Sequence, residues 1–281
     1  MRELLEAFTA YAVRLLGSRL KGVVIFGSAA RPQDFTPVSD INVAVFVEGE
    51  VSAFEKVALS TAFGSQFFPL VLRVEDLEEL LGEGHMLAHA IVKDSRIIVC
   101  DDDVKYALAT DPPVTRLTLD CLYKRSLACL SAAVRSYYQG LEGDSVAYAY
   151  RALKTAVAYR KAVEEEGLVF SDQEALSYLD TEFKELGSIM RMLISSRRMG
   201  RWAFEEDFDR VVEAVASLLG LSPTTWSSVV KEIFEMGAVV LEDVKVRDED
   251  GVMRWEVWFT DRGGRRVPYK SRKIYPIDGD G

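Results

Sequence analysis

Residues 22–47 read GVVIFGSAARPQDFTPVSDINVAVFV, and the reading of this stretch decides the fold. Val23 to Phe26 is a short apolar run of the length that suits a buried strand. Gly27-Ser28 breaks it, and a polar loop carrying Arg31, Pro32 and Pro37 follows. Ser39-Asp40-Ile41-Asn42 then leads into a second apolar run, Val43 to Val47. Alternate side chains of a strand share a face, so Asp40 and Asn42 are expected to point one way while Ile41 enters the core. Two ordinary strands joined by a turn would not explain an Asp and an Asn set into an apolar run. Two oxygen ligands on a rigid strand, facing a Gly-Ser turn whose amides can hold a phosphate, would explain them.

Gly27-Ser28, Arg31 and Ser39-Asp40-Ile41-Asn42 resemble the signature of the polymerase-beta-like (minimal) nucleotidyltransferases, Gly-Ser, about ten residues, then Asp-x-Asp. The loop here, residues 29–39, is one residue longer. The resemblance implies binding of a nucleoside triphosphate with Mg2+ or Mn2+. It also implies transfer of a nucleoside monophosphate to the hydroxyl of a protein or small molecule. Phosphoryl chemistry of this kind rests on positioning and charge neutralisation by metal ions on carboxylates. The resemblance places Asp40 and Asn42 as catalytic and metal-ligating positions, and Gly27, Ser28, Arg31 and Ser39 as nucleotide-binding ones. Asn42 departs from the pattern. Its amide oxygen is neutral and lacks the charge that binds a second metal firmly, so activity is expected to be impaired. Asn42 is also the only asparagine in the chain, which fits either a naturally degenerate copy or a deliberate replacement of aspartate. A non-catalytic, nucleotide-sensing or antitoxin-like regulator is the alternative function.

The family often carries a third carboxylate on a later strand, but the expected strand, residues 67–74, has no acid. Glu75 and Asp76 follow it and read better as the acidic first turn of a helix. His85 and His89 stand four apart, a spacing that can bind a metal, yet no third ligand is evident and packing is the better reading. Asp101-Asp102-Asp103 is expected to be a turn or helix cap.

Of the 281 residues, 49% are hydrophobic and 28% charged, the balance of a soluble globular protein. A net charge of −10 argues against coating nucleic acid by bulk charge. Three cysteines in no ligand spacing, and Glu3 and Glu6 where a signal peptide would be apolar, point to a reduced, cytoplasmic chain. No apolar run is long enough to span a bilayer. The scarcity of asparagine hints at a thermophilic source.

The expected class is α+β, in three parts. Residues 1–110 would form the nucleotidyltransferase domain, a mixed sheet with helices. Asp111-Pro112-Pro113 marks a boundary. Residues 111–200 would form a helical bundle with helices over 115–139, 144–166 and 172–198. Such a pairing resembles nucleotidyltransferases fused to HEPN domains, or the helical domain of kanamycin nucleotidyltransferase. No histidine follows His89, so HEPN-type nuclease activity is not expected. The aromatic-rich helix with Tyr148, Tyr150 and Tyr159 beside Arg151, Lys154 and Arg160 is read as bundle packing ahead of a nucleotide- or acceptor-facing role. Residues 197–201, Arg-Arg-Met-Gly-Arg, read as a basic hinge or, ahead of that, an ordinary solvated turn.

Residues 201–281 would form a small C-terminal module in the order helix, turn, helix, hairpin, possibly winged-helix-like. Acids at the second helix and hairpin tip make it a structural or dimerising module rather than a DNA reader, and a homo-oligomer is admitted. The acid-free tail from Arg262 to Lys273 is the segment expected to meet nucleic acid or another anion, a partner admitted but not favoured.

Overall fold

The computed structural model describes residues 2–31, 40–64, 66–93, 95–165 and 167–271. The chain divides into two compact units, Met1–Leu119 with Phe170–Asp172, and Asp120–Val169 with Gln173–Gly281.

In the first unit the order is α1 (Arg2–Leu16), β1 (Leu20–Phe26), β2 (Ile41–Val47), α2 (Ala53–Thr61), β3 (Phe67–Arg73), α3 (Val74–Gly82), α4 (Met86–Lys93), β4 (Ser95–Cys100) and α5 (Asp102–Leu108). The strands form a sheet in the order β3-β2-β1-β4. β1 runs antiparallel to β2 and β4, while β2 and β3 are parallel and joined through α2, the crossover a parallel pair requires. Both faces of the sheet are covered. Val23, Ile25, Val43 and Val45 pack with Leu5, Phe8, Leu16 and Leu59 of α1 and α2. Val24, Ala44 and Phe46 pack with Leu77, Leu81, Ala88, Ile91 and Val104 on the other side. This is why β1 and β2 read as unbroken apolar runs instead of alternating ones.

Local signals set the helix starts, and the cap expected at Asp101–Asp103 is one of them. Asp101 caps α5, its carboxylate accepting the Val104 N–H at 3.1 Å. Ser52 and Glu55 form a capping box at α2.

The second unit holds α6 (Arg116–Tyr138, apart from its first turn), α7 (Glu142–Glu165), α8 (Asp172–Glu182), α9 (Lys184–Met199), α10 (Phe204–Leu219), α11 (Trp226–Glu235) and the strands β5 (Ala238–Glu249), β6 (Val252–Asp261) and β7 (Arg266–Lys270). Small polar groups tie α6 to α7: Ser126 Oγ donates to the Ala152 carbonyl at 2.7 Å and Ser145 Oγ to Ala133 at 2.8 Å. The helix expected over 172–198 is two, broken at Phe183 with φ −143° and ψ 60°. Residues 197–201 close α9 as a largely exposed turn, with Gly200 in the left-handed region at φ 68° and Arg197 over the Tyr150 ring at 4.8 Å. Arg151 lies over Tyr148 and Lys154 over Tyr150, so these cations and rings of α7 pack on one another within the unit.

β5 and β6 make a hairpin whose tip, Asp250-Gly251, has φ of 55° and 75°, the pair of positive values that a two-residue turn needs. β7 adds a third, antiparallel strand beside β6. It occupies the tail that reads, on charge alone, as an anion-contacting segment. Its Tyr269 is buried, and Pro268 is tolerated on an edge strand. Three of the tail's cations meet acids of the same sheet: Arg265 with Asp261, Arg266 with Glu242 at 2.7 Å, and Lys270 with Glu249. Arg272 and Lys273 lie outside the described residues. Cations already paired release little counterion gain on phosphates. Duplex DNA titrated at low salt is therefore expected to give no saturable binding in fluorescence anisotropy; micromolar, salt-dependent binding would contradict this.

No helix among the described residues is long and apolar enough to cross a membrane.

Candidate functional site

The motif residues gather at one end of the first sheet. β1 ends there at Phe26, which registers with Asn42 near the start of β2. β3 and β4 begin at the same end, with Asn42 opposite Phe68 and Phe26 opposite Ser95. The Ile41 N–H donates to the Gln66 carbonyl at 2.8 Å and holds the starts of β2 and β3 level.

At Phe26 the chain is extended, and at Gly27 it turns with φ 72°, a conformation that costs a residue with a Cβ roughly 1–2 kcal/mol. A single turn of 3₁₀ helix, Gly27–Ala30, follows and is anchored by the buried Ala29. The first N–H groups of such a turn have no partner within it. A Cβ on Gly27 would stand 3.5 Å from Asn42 Nδ2. Two parts of the motif fifteen positions apart in sequence are thus in contact. Asp40 is exposed immediately before β2, two residues from Asn42. Arg31 sits after the turn, its N–H donating to the Ser28 carbonyl at 3.1 Å and its Nη2 to the Phe170 carbonyl at 3.0 Å. Phe170 is 139 positions away, and nothing in the local sequence signals that contact. Ser39, with Pro32 and Pro37, lies outside the described residues.

The parallel register decides what stands where a third carboxylate was sought. Phe68 pairs with Asn42 and shares its face of the sheet, and it is 50% exposed. Glu75 and Asp76 lie in the first turn of α3, beyond Arg73 at the far end of β3. Six residue steps of strand put that end about 20 Å away. Asp76 is engaged there by Arg73, whose guanidinium holds its carboxyl below the ordinary aspartate range.

The two histidines do not converge. His85 Nδ1 accepts the Leu87 N–H at 3.1 Å, whereas His89 is 6% exposed and directs Nε2 at the Pro113 carbonyl, 3.2 Å away. Burial, the largest cause, keeps the His89 pKa below the ordinary imidazole value. A histidine held neutral when folded but free to charge when unfolded stabilises the protein above about pH 6.5, and that contribution fades as pH falls. Urea unfolding should therefore lose stability from pH 7 toward pH 5, with a shallower loss in His89→Gln. Equal slopes would refute the assignment. Among the described residues no group of three or more His, Cys, Asp or Glu could hold a metal ion. Cys100 ends β4 opposite Gly22, at the other end of the sheet from Asn42, and Cys121 and Cys129 lie in α6 of the second unit.

By sequence, the chain matches no protein-family model and no curated protein. By structure, it resembles spectinomycin adenyltransferase AAD(9) from Enterococcus faecialis, solved with ATP and spectinomycin. That superposition covers 78% of this chain and 98% of that one at 9% identity, with a TM-score of 0.54. A nucleotidyltransferase-like protein from Exiguobacterium sibiricum spans 89% of this chain and 97% of its own at 12% identity, but its TM-score of 0.28 is too low to bear on the fold. The mixed four-stranded sheet with its covering helices is a nucleotidyltransferase-like fold.

Proposed function

We propose that this end of the sheet binds a nucleoside triphosphate and is built to pass its nucleoside monophosphate to the hydroxyl of a small molecule or protein. The observation that carries the reading is the Gly27 turn packed against Asn42, two residues beyond the exposed Asp40. In this reading the amides of Gly27 and Ser28, with the Ser28 hydroxyl, hold the β- and γ-phosphates. Ser39 supports them, and Arg31 pairs with one phosphate. AAD(9) was solved with ATP and a small molecule, which makes a small-molecule hydroxyl the first acceptor to test.

The donor set fits one hard cation, Mg2+ or Mn2+. Asp40 offers a carboxylate, Asn42 a neutral oxygen, and phosphates and water supply the remaining ligands. It does not fit a second cation, for which the negative charge is missing. A bound cation would neutralise triphosphate charge; the chain's own part is to position the phosphates and hold that cation through Asp40. Residues 1–110 would carry the site, with the helices to residue 200 as a supporting domain and residues 201–281 as a structural or dimerising module. A cytoplasmic, thermophilic setting fits the composition.

Phe68 beside Asn42 favours a second reading, a nucleotide-sensing or antitoxin-like protein that binds without turnover. A phenyl ring cannot accept the acceptor's proton or ligate a cation.

Calorimetric titration of Mg·ATP separates these readings. The protein is expected to bind, and Asp40→Ala to weaken binding at least about tenfold through loss of the one charged ligand. No binding by the unaltered protein would overturn both readings.

A further inference from the structure

The second unit contains a cleft of about 440 Å³ that the proposed nucleotide site does not use. It lies between α10 and α11 beside the end of α6, within the size range of small-molecule pockets. Its walls are aromatic: Tyr138, Phe204, Phe208, Trp226 and Phe234. Phe204 and Phe208 are stacked at 4.5 Å, and Tyr138 stands edge-on to Trp226 at 6.0 Å. Phe204, Phe208 and Trp226 are buried, whereas Tyr138 and Phe234 are exposed.

Two further features give the cleft a chemical preference. Glu205, Asp209 and Glu235 line it against one cation, Lys231, leaving a net charge of −2. Asp209 is occupied, accepting the backbone N–H groups of Trp226 and Ser227 at 2.7 and 3.1 Å. Glu205 receives a long bond from the Tyr137 hydroxyl at 3.4 Å, and Glu235 is exposed. Trp226 is 3% exposed, and its Nε1–H has the Tyr138 hydroxyl beside it but forms no hydrogen bond of good geometry among the described residues. The only other such buried side-chain donor there is Trp202 Nε1, in the same aromatic cluster, 5.2 Å from Phe204. Buried donors without partners are uncommon and costly.

From the aromatic walls, the acidic rim and the poorly satisfied indole N–H, we infer that this cleft binds an organic ammonium compound with an aromatic or alicyclic body and an oxygen that can accept from Trp226. Ring faces attract a cation, carboxylates at the rim neutralise it, and the apolar body displaces water from the walls. An anion of the same shape would meet the rim charge unfavourably.

The indole ¹⁵N resonances of the four tryptophans, with that of Trp226 assigned from Trp226→Phe, give the test. Tyramine and its anionic counterpart 3-(4-hydroxyphenyl)propionate serve as probes of nearly equal shape. Tyramine should shift the Trp226 resonance saturably and bind at least about tenfold tighter than the anion. A Glu205→Gln/Glu235→Gln variant, altered only at exposed positions, should bind tyramine at least about fivefold more weakly and lose the preference between the probes. An absent or unsaturable Trp226 shift, equal binding of the two probes, or undiminished binding in the double variant would each overturn the inference.

Discussion

Asn42→Asp is expected to raise pyrophosphate release from Mg·ATP, in the presence of a hydroxyl acceptor, by about a hundredfold or more. Electrostatic groups aimed at developing phosphoryl charge are typically worth that much each. The physical reason is local. The strand that carries Asn42 is rigid, buried on both faces beyond it, and already places Asn42 Nδ2 against the Gly27 turn. The substitution changes charge with almost no change in shape, so backbone and packing should persist. What changes is the donor set, from one carboxylate and one neutral oxygen to two carboxylates. Binding of Mg·ATP should also tighten, and calorimetry reads that separately from turnover. Tighter binding without turnover would favour the nucleotide-sensing reading and would direct attention to Phe68, in register with residue 42. Unchanged affinity and unchanged turnover together would remove residue 42 from the site.

Gly84→Ala should be among the most destabilising single-atom additions to the first unit, with a loss of roughly 3–5 kcal/mol in urea unfolding. Gly84 turns the chain between α3 and α4 at φ 65°, and a Cβ there would stand 2.1 Å from the Pro113 carbonyl oxygen and 2.9 Å from Thr115 Cγ2. Neither neighbour can withdraw cheaply. Thr118 Oγ1 donates to the Gly84 carbonyl at 2.6 Å, Thr115 Oγ1 to the Glu83 carbonyl at 2.8 Å, and His89 reaches Pro113 from α4. The strain of a left-handed alanine thus adds to the displacement of a hydrogen-bonded backbone segment. Gly82→Ala is the internal control. It lies at the end of α3 with open space around its Cβ position, so alanine should be neutral or up to about 1 kcal/mol stabilising. Similar losses at both positions would show that close approach to Pro113 is not what requires glycine at 84.

Much of the fold is written locally. The apolar runs of β1 and β2 and the glycine between them specify strand, turn and strand without help from distant residues. Asp101 identifies itself as a cap because its side chain serves an N–H three residues on. Asp250-Gly251 specifies the hairpin because few other pairs adopt two successive positive φ values. The contact of Gly27 with Asn42 follows from the same local pattern, because antiparallel strands joined in sequence bring those positions together.

Other features depend on which elements meet, and no local pattern carries that information. Glu75 and Asp76 follow β3 closely in sequence, but the parallel pairing of β2 and β3 sends them to the far end of the sheet and sets Phe68 beside Asn42. The basic tail reads as an anion-seeking segment from its charge, and only the pairing of β7 with β6 sets Arg265, Arg266 and Lys270 beside Asp261, Glu242 and Glu249. His85 and His89 have metal-binding spacing, yet His89 is drawn into the contact with Pro113 that packs α4. The cleft at Trp226 exists only because α10, α11 and α6 converge. The sequence by itself determined the strands, turn and cap of the motif region and which residues at Gly27, Asp40 and Asn42 could do chemistry, though not the break at Phe183 or the strand β7. Tertiary structure alone decided which side chains stand beside them, because strand register and burial are set by the pairing of segments far apart in the chain.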